Sequence, residues 1–145
     1  MPSATTSDYL YNQQMAYLLS NTAWTAPAAI WVALFTALPS LDGTTTPGQE
    51  VNTSGTGYGR ISIGAGGWSG PSGVNLEYNN TGDIQFGTPT ANWGTIVGAG
   101  LYDSDAGGTN NLLFVASLTT SKVVNNGDGA PKILAGQLRI TRATC

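Results

Sequence analysis

Asp103 and Asp105, in the stretch "DSDAGG" at 103–108, are the residues whose type and spacing come closest to a chemical motif. Two carboxylates two residues apart open an EF-hand calcium loop, and carboxylate pairs also drive glycoside hydrolysis. The calcium motif fails at its far end, because the twelfth position counted from Asp103 is Phe114, where such a loop needs a bidentate Glu. A lone calcium ion held by Asp103, Asp105 and carbonyl groups is a reduced form of that idea. A strand end turned by Asp103 and reversed by Gly107 and Gly108 is the simpler one. The remaining carboxylates weighed for a catalytic pair, Glu50, Glu77, Asp83 and Asp128, lie in turn-rich sequence, where such groups accept from backbone N–H donors.

The chain has no histidine, which removes the commonest general base and transition-metal ligand and the usual serine and cysteine hydrolase triads. The glycine groups "GTGYG" at 55–59 and "GAGG" at 64–67 are turns and not phosphate cradles, since no lysine follows and no helical pattern starts after them. The reading from these residues is a protein that is not an enzyme and uses no metal or cofactor.

The elements that must position these groups are β elements. Of 145 residues only 9% are charged, against roughly 25% in an average soluble domain. The surface is therefore Ser, Thr, Asn and Gly. With a net charge of -3 and five basic residues scattered from Arg60 to Arg142, the chain is not suited to nucleic acid. Cys145 is the single cysteine, which rules out an intrachain disulfide. No segment has 18 uninterrupted apolar residues and the N-terminus does not read as a signal, so the sequence predicts neither a membrane partner nor export.

Residues 1–7 read as an arm, followed by a single β-sandwich domain over 8–145 that includes an N-terminal helix at 8–20. Ser7 is placed to cap the helix, Asp8 suits its positive end, and Asn21 is the expected stop. Tyr11, Met15, Leu18 and Leu19 form an apolar stripe, while Tyr9, Leu10 and Tyr17 widen it, so the helix can pack on the sheet or on a neighbour. The run "AAIWVALFTAL", ended by Pro39, predicts a strand buried on both faces, at the centre of the sheet and with Trp31 in the core. From Pro39 to Gly57 a long loop is expected.

Further strands are expected at "YGRISIGA", "DIQFGT", "TIVGAGLYD", "LLFVASLTT", "SKVVN" and "KILAGQLRITR", with a bulge near Ala135 and Gly136 and a hairpin turn at "NNGDG". The fold class is mainly β, an antiparallel β-sandwich or barrel, jelly-roll-like, with one N-terminal α-helix. Trp93 is expected to pack on the sheet. Trp68, in "GGWSG", is expected either as a lid on a sheet end or as an exposed anchor.

In order along the chain, "IWVALFTALPS", "GYGR", "NWGTIVGAGLYD", "NNLLFVASL", "NNGDG" and "LAGQLRIT" resemble small virion structural proteins of tailed bacteriophages, often labelled tail fibre or minor structural proteins. The resemblance runs from about Tyr9 to Thr141 and implies that Trp93, Gly94 and Asp103 determine the fold, with no catalytic residue to carry over. It also implies a particle component made in the host cytoplasm. One compact domain leaves no room for a shaft and separate tip, which favours a capsid decoration, or cement, protein bridging major capsid subunits on the head surface, self-associated as a homotrimer. The alternative is a tail fibre or tail-tip protein with a glycan- or receptor-binding role, for which Trp68 or Tyr58 beside Asn and Asp would be the signature. Interface candidates are Tyr9, Tyr11, Met15, Leu18, Asp42, Glu50 and Trp68.

Overall fold

The apolar run at Ala29–Phe35 forms a strand, β2, and the alternation of its side chains decides the layering. The computed structural model describes residues 4–42 and 49–141. Around β2 the chain lays down β1 (Thr5–Thr6), α1 (Asp8–Ser20), β3 (Ile61–Gly64), β4 (Trp68–Ser72), β5 (Glu77–Asn80), β6 (Ile84–Gln85), β7 (Gly94–Tyr102), β8 (Leu112–Val124), β9 (Lys132–Ile133) and β10 (Arg139–Ile140). A five-stranded sheet has the order β1-β8-β7-β2-β3, a three-stranded sheet β10-β5-β4, and a two-stranded sheet β6-β9. Every pairing is antiparallel. The expected class, mainly β with one N-terminal helix, is what the chain adopts. The large sheet keeps two edges, β1 and β3, so the arrangement is a sandwich and not a closed barrel.

Val32 and Leu34 point to one face of β2 and join the main core, which gathers residues from all three sheets, among them Leu101, Ile84 and the half-buried Trp68 and Ile140. Ala33 and Phe35 point to the other face and form a second cluster with Tyr102, Leu112 and Val115. Burial on both faces follows the expectation, although Trp31 is only partly buried, against that second cluster. The middle strand of the large sheet is β7, not β2. Its glycines let the neighbours close in on it there: a Cβ at Gly100 would strike the Phe35 ring, and one at Gly98 would strike Leu38 and the Ala116 carbonyl. The small residues of "TIVGAGLYD" are the space that larger side chains of the adjacent segments occupy.

Several boundaries differ from the sequence reading. "LLFVASLTT" and "SKVVN" are one strand, β8, whose register against β7 jumps between Ile96↔Lys122 and Gly98↔Ser117. The hairpin β4–β5 was not expected, since Gly70 and Pro71 break its alternation. "NNGDG" does turn the chain, with Gly127 at φ 85°, but β8 and β9 do not pair across it, because β9 pairs with β6. The expected bulge at Ala135 and Gly136 is a full turn separating β9 from β10. Buried Asn80 holds that turn, donating to the Leu134 carbonyl at 3.1 Å and accepting from the Leu138 N–H at 3.0 Å.

Of the expected arm, residues 1–3 lie outside the described residues, while Thr5–Thr6 pair with β8 as an edge strand. Ser7 is buried, donates its hydroxyl to the Leu112 carbonyl and accepts from the Leu10 N–H at 3.2 Å, so one side chain both docks and caps α1. Asn21, at φ 51° and ψ 34°, ends the helix in the left-handed conformation. Of the long loop, residues 43–48 lie outside the described residues. Its end returns to β2, with the Thr36 N–H on the Gln49 carbonyl at 2.7 Å and the Val51 N–H on the Leu34 carbonyl at 3.1 Å.

Two glycine substitutions separate packing from backbone effects. Gly100→Ala is expected to destabilise the protein by about 1–3 kcal/mol through overpacking against Phe35 and Leu112, whereas Gly64→Ala, which meets nothing, stays within about 0.5 kcal/mol of the parent. Urea denaturation of the two variants provides the check, and equal stabilities would contradict the packing account.

Candidate interaction surfaces and the polar clamp

Arg60, just before β3, is the most heavily committed charged side chain among the described residues. Its Nε and Nη2 donate to the two Glu50 oxygens at 2.9 and 2.7 Å, a bidentate pair, and its Nη1 donates to the Ser104 carbonyl at 3.1 Å. Its guanidinium carbon stands 3.7 Å from the centroid of the buried Tyr102 ring. Glu50 also accepts from the Tyr58 hydroxyl at 3.0 Å, and that same hydroxyl accepts from the Leu34 N–H at 2.9 Å. Burial pulls the Arg60 pKa down, but the bond and charge of Glu50 outweigh it and hold the group above its ordinary value. Tyr58 stacks on Phe86 and meets Trp93 edge-on, and Trp93 Nε1 donates to the Thr56 carbonyl at 2.8 Å. Sequence reasoning singled out Glu50 but gave no role to Arg60, whose signal was its place before an alternating apolar pair.

The other carboxylates are spent on turns and surface pairs. Asp103 accepts from the Asn111 N–H at 2.9 Å and its side-chain amide at 2.7 Å, and Asp105 accepts from the Gly107 N–H at 3.1 Å. "DSDAGG" thus closes the β7–β8 connection, as the simpler reading held. Asp128 accepts from the Asn125 N–H at 2.7 Å, and Glu77 lies 3.8 Å from Arg139 Nε. The Ala135 N–H and then Lys132 hold the Asp83 carboxyl below its ordinary range.

The interface candidates do not form one surface. Tyr11 and Leu18 are exposed on α1, with Leu18 at 69% and the adjacent Leu19 at 81%, because Leu10 supplies the buried contact of the helix instead. Met15, half-buried, lines an open groove of ≈ 390 Å³ with Tyr17, Leu18 and Trp24. Tyr9 packs partly on the main core. Glu50 is committed inside the chain, and Asp42 lies exposed at the last described turn before residue 43. Trp68 is the lid of the two alternatives: half-buried against the core, it lines an apolar cleft with Ile30, Tyr78, Leu101, Phe114 and Ile140. A further apolar feature escaped the sequence reading, the tip of the β4–β5 hairpin, where Val74 is 90% exposed.

These features define a small antiparallel β-sandwich with sparsely charged, partly apolar surfaces. A family model described as "Podophage GP4 fiber I protein gp80" matches residues 5–141, and the chain belongs to that family of phage virion structural proteins. Among curated proteins, no sequence matches the chain. The resemblance carried by the ordered motifs is thereby borne out.

The clamp makes stability depend on alkaline pH. Burial first, and the Glu50 charge second, raise the Tyr58 pKa well above its ordinary value of 10.0. Above about pH 10 the unfolded chain releases this proton while the folded chain keeps it, so stability present below that pH declines by about 1.4 kcal/mol per pH unit from this residue. Tyr58→Phe is expected to cost about 1–3 kcal/mol at pH 7, by leaving the Leu34 N–H unpartnered, and to remove that part of the alkaline slope. Denaturation curves between pH 7 and 11 measure both, and an unchanged slope would contradict the assignment.

Proposed function

We propose that the chain is a structural module of a podophage tail fibre, acting by the surfaces it presents and not by turnover. The observation that carries this reading is the family match, whose description names a fibre protein and which spans nearly the whole chain. It lends more support to the tail than to the shell-bridging role expected from the sequence. The exposed Leu18 and Leu19 on α1 and Val74 on the β4–β5 tip support the reading as well, since uncovered apolar groups of this size mark protein contacts. Self-association or docking onto a neighbouring fibre protein through the helix face would cover Tyr11, Tyr17, Leu18 and Leu19. Contacts of this kind owe little to salt, which suits a particle that meets changing ionic strength.

Gold-labelled antibodies against the chain, viewed on intact particles, are expected to decorate the tail region. Labelling spread over the head would contradict the fibre reading and favour the shell. The double substitution Leu18→Asp/Leu19→Asp should leave the circular dichroism of the isolated protein unchanged and lower its incorporation into particles about tenfold or more. Normal incorporation would remove the helix face from the account.

A further inference from the structure

We infer that the cleft between the start of α1, the 24–27 segment and the β7–β8 turn is a binding site for a neutral saccharide. It measures ≈ 360 Å³ and is lined by Tyr9 and Trp24 together with Thr25, Asp103, Thr109 and Asn111. That volume lies near the lower end of small-ligand sites, roughly 300–1,000 Å³.

The two aromatic rings are half-buried against the main core, so their positions are fixed before any ligand arrives. Aromatic faces of this kind take the C–H face of a sugar ring, which is apolar although its edge carries hydroxyls. The polar wall is equally preset. Asp103 receives two bonds from Asn111, one on each oxygen, and each oxygen keeps a free lone pair for a hydroxyl donor. The same bond uses the Asn111 amide nitrogen and leaves its Oδ1 as an acceptor. Thr25 and Thr109 are exposed, and their hydroxyls can donate or accept.

Other ligand classes fit less well. Among the described residues no Lys or Arg lines the cleft, and the Asp103 charge repels phosphates and carboxylates. A purely apolar side chain would strip water from Asp103 without replacing its hydrogen bonds. Among the described lining residues a cation would find a single carboxylate. The apolar cleft beside Trp68 has the opposite character: Ile30, Leu101, Phe114 and Ile140 make most of its walls, the Tyr78 hydroxyl and the buried Trp68 indole N–H are the polar side-chain groups of its lining residues, and Tyr58, the other stacking candidate, is buried. The aromatic and polar signature sought at Trp68 or Tyr58 therefore stands at Trp24 and Tyr9. The inference deepens the fibre reading by naming a ligand class for it, yet it stands on this geometry and not on where the chain sits in the particle.

The test is an amide and indole NMR titration of the full chain with neutral hexose and N-acetylhexosamine oligosaccharides, alongside sialylated ones. At least one neutral oligosaccharide is expected to shift the Trp24 indole N–H and the Asn111 side-chain amide, with the sialylated ones weaker. Trp24→Ala should weaken that binding at least tenfold. Because this variant could loosen the segment it sits in, Thr109→Val, at an exposed position, is the second variant and should weaken binding several-fold with an unchanged spectrum elsewhere. Absence of shifts with every neutral sugar, preference for acidic ones, or binding indifferent to both variants would overturn the inference. Head labelling by antibody with sugar binding intact would sink the fibre reading and leave this site standing.

Discussion

The bidentate pair between Arg60 and Glu50 is the constraint on which the rest of the structure depends. It joins the end of the long loop to the segment leading into β3, and through Ser104 and Tyr102 to the far end of β7. A buried ion pair is poor evidence of net stability, since desolvation offsets much of the attraction. Its value here is registry. With one guanidinium satisfied by three oxygens and covered by a ring, the loop end has one way to lie beside β2, and the β7–β8 turn has one height at which to close.

That rigid frame accounts for the two kinds of surface the molecule offers. The turn that receives Arg60 at Ser104 is the same turn whose Asp103 and Asn111 wall the cleft beside Trp24, so a core interaction sets the position of surface polar groups. The outward face of α1 and the β4–β5 tip, by contrast, are apolar and uncovered. A subunit with few charges holds its shape through glycine-enabled packing and, among the described residues, a single buried pair. It presents an apolar surface in one place and a cleft with aromatic and polar walls in another.

The sequence disclosed the parts of this design that are local. Ser7, Asp8 and Asn21 bounded α1 correctly because capping depends on neighbours within one turn. β2 and β7 were visible because continuous apolar runs have few other destinations. What lay hidden was non-local. The helix stripe faced outward because Ser7 and Leu10 fixed the docking face, which periodicity cannot decide when both faces are apolar. β4 and β5 were hidden by Gly70 and Pro71, and β9 left β8 for β6, a partner some fifty residues away. Arg60 counted in the sequence as one of five scattered basic residues, and only the fold placed Glu50 against it. Tyr9 and Asp103 were both singled out, but nothing in their spacing placed them in one cleft with Trp24.

The frame is tested most directly by amide hydrogen exchange in Arg60→Met. If the guanidinium sets the register of both the loop end and the β7–β8 turn, exchange at Val51 and Asn111 should accelerate about tenfold or more beyond any change at Ala99 in the sheet. Equal acceleration at all three amides, or none at Val51 and Asn111, would contradict the claim that this side chain holds the structure in place.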